Sequence, residues 1–152
     1  MIDPALLSSF PGIADLGHLH RRALAEVCDR RSYAAGEALI RKGAKDADLL
    51  FVLSGQVRVT IREGRVRADK DVGPGTMLGL VAMLDAGPRS ATCTATTPVE
   101  CVVLPASLAR QVARTEGPIW DALQVAMARQ LVRDAREMGA HLLRLLAEPP
   151  PA

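Results

Sequence analysis

The residues best suited to chemistry lie in one short stretch, residues 75–91, which reads GTMLGLVAMLDAGPRSA. Gly79 precedes a short apolar run, and a Gly-Pro pair ends that run just before Arg89. A glycine ahead of a helix start lets backbone N–H groups approach a ligand, and a helix start favours negative charge. The Arg89 guanidinium suits a phosphate, and Ser90 and the Ala91 amide can donate further hydrogen bonds. The stretch therefore predicts an anion cradle, although such glycine-bounded turns also occur in proteins without a ligand.

The composition limits the classes of protein that can surround this stretch. A chain of 152 residues with 49% hydrophobic and 24% charged residues suits one globular domain with a full core. Aromatic residues make up only 3%, which argues against a base-stacking surface for RNA or single-stranded DNA. The net charge of +2 is far below that of a dedicated nucleic-acid binder.

Candidate catalytic and metal-binding groups are absent from the sequence pattern. Two histidines, His18 and His20, are spaced i, i+2 and do not share a helix face, so we expect no metal site. No Ser/His/Asp set, Cys/His set or carboxylate pair shares a plausible loop, so we expect no enzyme. The three cysteines are far apart, and no leader or membrane-length apolar run is evident, which favours a cytoplasmic protein without membrane contact.

The elements that must position the cradle divide the chain into four parts. Residues 1–27 predict a helical lead, residues 28–105 a β-rich domain, residues 106–147 two helices, and residues 148–152 a disordered tail. Alternating β-formers and frequent turns predict about eight short strands, hence a small sandwich or barrel. The strands delimited by turns cover residues 30–34, 38–41, 49–53, 56–62, 66–72, 92–96 and 99–104.

The last helix, residues 119–147, is long for a globular domain and has a 4-3 apolar seam. Packing on the β-rich domain can cover one apolar stripe of this helix. A helix that is apolar on two flanks usually needs a second partner for the other one. We therefore expect a homodimer through this helix. Its predicted interface comprises Trp120, Leu123, Met127, Leu131, Asp134, Met138, His141 and Leu145.

Several short motifs along nearly the whole chain match those of a known family. They are Gly36-Glu37, residues 50–57 (LFVLSGQV), Gly75 and Gly79, Arg89-Ser90-Ala91, and residues 127–131 (MARQL). In this order the chain resembles a cyclic-nucleotide-binding domain, and it is most similar to the sensor half of bacterial catabolite-activator regulators. The resemblance implies a jelly-roll β-barrel with flanking helices and no catalysis. The helix-turn-helix that reads DNA in those regulators has no counterpart in these residues, so we expect no direct DNA binding.

Two positions depart from the family pattern. A glutamate follows the second glycine in the family and binds the ribose 2′-hydroxyl, whereas this chain has Leu80. Hydroxyl residues that contact adenine in the family fall at Asp134 and Ala135. Arg89, the family's partner for the cyclic phosphate, is retained. The phosphate part of the site is therefore kept while the sugar and base parts are altered, and the resemblance implies weak binding of cyclic AMP and cyclic GMP. The predicted ligand-binding residues are Gly79, Leu80, Val81, Arg89, Ser90, Ala91 and Asp134.

Two functions remain open from the sequence. One is a sensor that binds a cyclic nucleotide or another phosphate-bearing small molecule and signals through the long helix to a protein partner. The other is a degenerate domain that binds no nucleotide and serves as a dimeric interaction module. The basic hairpin, Arg58, Arg62, Arg65 and Arg67, fits a solvated face or a docking site for an acidic partner.

Overall fold

The computed structural model describes residues 1–149 and consists of eight strands and flanking helices. A 3₁₀ helix, Pro4–Ser9, and α1, His18–Glu26, precede the strands. The strands are β1 Asp29–Tyr33, β2 Ala38–Ile40, β3 Leu49–Ser54, β4 Val57–Glu63, β5 Val66–Val72, β6 Met77–Leu78, β7 Thr92–Ala95 and β8 Val99–Leu104. The remaining helices are α2 Leu80–Asp85, α3 Ala106–Arg114 and α4 Pro118–Ala147. Of the predicted disordered tail, residues 150–152 lie outside the described residues.

The strands form two antiparallel sheets of four strands each, in the orders β1-β8-β3-β6 and β2-β7-β4-β5. This arrangement confirms the predicted jelly-roll β-barrel with helices at its flanks. The shortest strand, β6, was not delimited by turns in the sequence. It is two residues long and lies inside the stretch that the sequence predicts as an anion cradle.

Strand β3 divides the hydrophobic core into two parts. Its residues Leu49 to Val52 are all buried, because successive side chains point to opposite faces of a sheet that is covered on both sides. Leu49 and Phe51 join an outer core between the first sheet and the helices, where the rings of Phe10 and Phe51 pack edge to face at 5.0 Å. Leu50 and Val52 join an inner core between the two sheets.

Helix α4 packs its first half against the outer core. Leu123 and Met127 are 0% and 1% exposed and lie in the same cluster as Phe10 and Leu24. Both residues were predicted to form a dimer interface, and that prediction is wrong for them, because the helical lead and the barrel already cover them. Trp120 is half-buried beside the same cluster.

The second half of α4 leaves its apolar side chains open. Leu131 is 37% exposed, Met138 57% and Leu145 51%, and Leu143 and Leu146 are more exposed still. Of the rest of the predicted dimer seam, Leu131, Asp134, Met138 and His141 line a cavity beside the barrel, while Leu145 is exposed and does not line it. No helix within residues 1–149 combines the length and apolar character needed to cross a membrane.

The β4–β5 hairpin pairs part of its positive charge internally. Arg58 donates to Asp71 at 2.9 Å, and Arg67 forms an ion pair with Asp69 at 3.1 Å. The hydrogen bond from Arg58 lowers the pKa of Asp71, and hydrogen bonds from Thr60 and Arg67 lower the pKa of Asp69. Exposed pairs add little stability, so the main effect of these contacts is to offset two of the arginine charges locally. Its role as a docking surface stays a prediction.

Candidate ligand-binding site

The predicted cradle folds as strand β6, a single glycine and the short helix α2. Gly79 has φ +92°, a left-handed conformation that residues with a side chain rarely adopt. A Cβ at this position would also lie 2.8 Å from the carbonyl oxygen of Asp48 and close to Nη1 of Arg89. Glycine is therefore required here both by the backbone angle and by the close approach of the Arg89 side chain.

Arg89 is the central charged group of the site and is only 2% exposed. Its Nη2 donates to Oδ2 of Asp46 at 2.7 Å and to the carbonyl oxygen of Asp48 at 2.8 Å. Its Nε and Nη1 are buried and have no hydrogen-bond partner among residues 1–149. Buried donors without a partner are costly, so this guanidinium retains binding capacity that the protein itself does not use.

Asp48 connects the site to helix α3, and sequence analysis missed it. Its Oδ1 accepts from the backbone N–H of Ala106, the first residue of α3, at 2.9 Å. Its main chain holds Arg89, while its Oδ2 lies 3.5 Å from Nη1 of Arg31. An acidic residue that caps a helix start is a common local signal, but here it acts across 58 residues. No sequence window could have contained both partners.

A cavity of about 560 Å³ lies between the barrel, α2 and α4. All the residues predicted to bind ligand line it: Gly79, Leu80, Val81, Arg89, Ser90, Ala91 and Asp134. The structure thus brings the cradle and one residue of the long helix together around one space. Whether a ligand binds there stays a prediction.

Leu80 lines the cavity but is mostly covered. It is 5% exposed and belongs to the outer core, together with Met77 and Phe51. Its side chain therefore supports the cradle from behind rather than offering a broad surface to a ligand. Leu80 has no group that could accept a hydrogen bond from a ribose hydroxyl.

Lys70 of β5, which also lines the cavity, joins the hairpin to α4. Lys70 donates to Asp134 at 3.2 Å and also to Glu137. The hydrogen bond to Glu137 raises the pKa of Lys70, and the same contact lowers the pKa of Glu137. Asp134, predicted at the base position and in the dimer seam, is therefore engaged within its own chain. His141 and Met138 also line the cavity.

Gln130 is a second residue that sequence reasoning missed. It is 5% exposed, its Oε1 accepts from the Met77 N–H at 2.7 Å, and its Nε2 donates to the Met77 carbonyl at 2.5 Å. This two-way contact joins α4 to β6, two residues before Gly79. The available signal was a polar residue three positions after Met127, on the apolar stripe of the helix.

The described residues hold no cluster of three or more histidine, cysteine or acidic side chains that could bind a metal. Cys93 lines the cavity, and burial raises its pKa to about 11, so its thiol is uncharged near neutral pH. The site therefore offers a buried guanidinium, backbone N–H groups and apolar walls, which together can bind an anion.

Comparison with known proteins identifies the fold family. Residues 30–116, more than half of the chain, match the model of the cyclic nucleotide-binding domain. The chain belongs to this family. The resemblance proposed from the sequence motifs is thereby confirmed.

Solved structures agree with this membership at the level of fold. A cyclic nucleotide-binding domain from Methylobacillus flagellatus matches with a TM-score of 0.82 and 21% identity, over 97% of this chain and 84% of that one. The catabolite activator protein of Thermus thermophilus matches with a TM-score of 0.70 and 25% identity, over 86% of this chain and 62% of that one.

A curated relative matches only in part. Glutaminase 2 of Bradyrhizobium diazoefficiens is 38% identical over 93 residues, which is 61% of this chain but 14% of that protein. The chain thus spans about a seventh of this relative. The similarity concerns a module shared by the two proteins.

Proposed function

We propose that this domain is a non-enzymatic regulatory sensor, located in the cytoplasm, that binds a phosphate-bearing small molecule in the cavity. The observation that carries the proposal is Arg89, a buried guanidinium at the cavity wall with two nitrogens that no described residue satisfies. An anion at this point would restore the missing hydrogen bonds and offset the cost of burying the charge. Membership of the family supports the same location.

The sensor would signal through α4, which forms one wall of the cavity. Leu131, Asp134 and Met138 of this helix line the space that a ligand would fill. The contact between Gln130 and Met77 joins the helix to the strand that leads into Gly79. A ligand that moves the cradle would therefore change how α4 packs, and a second copy and a protein partner would respond to that change. Direct DNA binding and membrane contact are not part of this function.

Cyclic AMP and cyclic GMP would be weak ligands. A ribose hydroxyl gives up water in the site, and Leu80 returns no hydrogen bond. A charge-assisted hydrogen bond from the hydroxyl to a carboxylate is worth ~1.5–3 kcal/mol, so its absence lowers affinity by roughly 10- to 100-fold. The Asp134 carboxylate already accepts a hydrogen bond from Lys70, and it has no donor to offer a base.

Calorimetric titration with inorganic phosphate and with both cyclic nucleotides tests the proposal. Arg89→Ala should abolish binding of every phosphate, while Arg110→Ala, an exposed arginine on α3, should leave it unchanged. Circular dichroism of both variants checks that the fold is kept. Phosphate binding that survives Arg89→Ala would refute the assignment of the anion site.

The second candidate is the degenerate module that binds no nucleotide and acts through protein contacts. The ion pair between Arg89 and Asp46 favours it, because an internal carboxylate already occupies part of the guanidinium. The exposed leucines at the end of α4 favour it as well. The absence of binding to any phosphate, together with a stable homodimer, would select this candidate over the sensor.

A further inference from the structure

We propose that the cavity selects an organophosphate with a single anionic head and an apolar body, such as an aryl or alkyl phosphate monoester, over a ribose-bearing nucleotide. The inference rests on the proposed function, since Arg89 must hold the phosphate. It adds the chemical class of the ligand, which the walls of the cavity determine.

Three apolar or weakly polar side chains near Arg89 offer no hydrogen-bond partner to a sugar. Ile40, Leu78 and Cys93 line the cavity, all belong to the inner core, and they are 4%, 5% and 4% exposed. The thiol of Cys93 stays protonated because burial raises its pKa to about 11. Hydroxyl groups that entered this region would lose water and gain no hydrogen bond from these side chains, whereas methylene or aryl carbons would lose nothing.

The cavity is also lined by apolar side chains that remain open to water. Ile61 on the hairpin is 45% exposed, and Leu131 and Met138 on α4 are 37% and 57% exposed. An apolar ligand body would cover these side chains from both sides and remove their apolar surface from water. A hydrated ribose could not do so at equal gain.

Charged side chains of the hairpin and of α4 also line the cavity. Asp69, Asp134 and Glu137 line it, and Lys70 is the basic residue among them. Both carboxylates of α4 already share Lys70. Asp69 in turn pairs with Arg67, so these carboxylates are satisfied within the protein. Among residues 1–149, the buried nitrogen donors left without a partner are those of Arg89, and the anionic head therefore belongs there.

No large aromatic ring is available to stack on a base. Among the described residues that line the cavity there is no phenylalanine, tyrosine or tryptophan. Stacking on such rings is a common way of holding nucleobases. The apolar walls are aliphatic instead, and they accept carbon bodies of varied shape.

The test is a calorimetric comparison of four probes: 1-naphthyl phosphate, hexyl phosphate, ribose 5-phosphate and cyclic AMP. We expect both apolar phosphates to bind at least about 10-fold more tightly than the two sugar phosphates, which corresponds to ~1.4 kcal/mol. Arg89→Ala should remove the binding of all probes. Sugar phosphates that bind as tightly as the apolar ones would overturn the inference and leave the proposed anion site intact.

A second pair of variants tests the apolar wall of the cavity rather than the anion site at Arg89. Ile61→Thr keeps a β-branched residue on an exposed strand and should weaken 1-naphthyl phosphate at least about 3-fold, with inorganic phosphate unchanged. The matched control is Val66→Thr on the same hairpin, 71% exposed and outside the cavity, which should change neither. Equal effects of the two variants would contradict the apolar wall. Failure of all four probes and of inorganic phosphate would refute the proposed function itself.

Discussion

The contact between Gln130 and Met77 carries a prediction about how α4 is held. Gln130→Leu keeps a side chain of similar volume in this buried position, so little cavity cost is added. The variant removes the partner of both the N–H and the C=O of Met77, which is 3% exposed. Each buried backbone group left without a partner costs roughly 1–3 kcal/mol, so the two together cost roughly 2–6 kcal/mol. Water that reaches Met77 from the adjacent cavity would bring the loss to the lower end of this range.

Urea unfolding monitored by circular dichroism measures this loss. We expect a lower midpoint with an unchanged slope, because the same surface is exposed on unfolding. The matched control is Gln124→Leu, on an exposed position of the same helix, which should stay within about 0.5 kcal/mol of the wild type. Hydrogen exchange should also accelerate at Met77 in the Gln130 variant only.

The reasoning would be refuted if Gln130→Leu were as stable as Gln124→Leu. That result would mean that α4 is held by apolar packing of Leu123 and Met127 alone. The contact between Gln130 and Met77 would then contribute nothing to the free energy of unfolding. An intact midpoint with faster exchange at Met77 would instead show a local role without a global one.

Two further predictions concern the assembly and the thiols. Leu145→Glu, at an exposed position of the predicted interface, should convert a homodimer to monomers in light scattering, whereas Val66→Glu should not, and a monomeric wild type would contradict the proposed interface. Burial raises the pKa of Cys28 and Cys101 to about 12 and that of Cys93 to about 11. The unfolded chain therefore releases thiol protons that the folded protein keeps, so the free energy of unfolding should fall as the pH rises from about 8 to about 10.5. Urea midpoints across this range check it, and rapid reaction of native thiols with a disulfide reagent would contradict their burial.

The sequence by itself determined the features that depend on local pattern. A compact apolar run predicted β3, and alternating side chains predicted β4, because a strand with one buried face repeats every two residues. Gly79 and Arg89 could be singled out because a left-handed backbone position favours glycine and because a guanidinium suits an anion. The short motifs also predicted membership of the cyclic nucleotide-binding domain family, and the match to the family model confirmed it.

Only the tertiary structure decided which apolar and charged groups face each other. The 4-3 spacing of α4 was visible in the sequence, but it cannot distinguish a residue packed on the barrel from one facing a second chain. Leu123 and Met127 proved to be core, while Leu131 and Met138 stayed open. The first turns of the helix meet the helical lead, and the later ones extend past it.

The partners of the site were decided in the same way. Arg89 meets Asp46 across 43 residues, Gln130 meets Met77 across 53, and Lys70 meets Asp134 across 64. A sequence window carries the propensity of each residue, yet these contacts form only when the barrel closes and brings distant segments together. The chemistry of each group was therefore set by its type, and the environment that gives it a role was set by long-range packing.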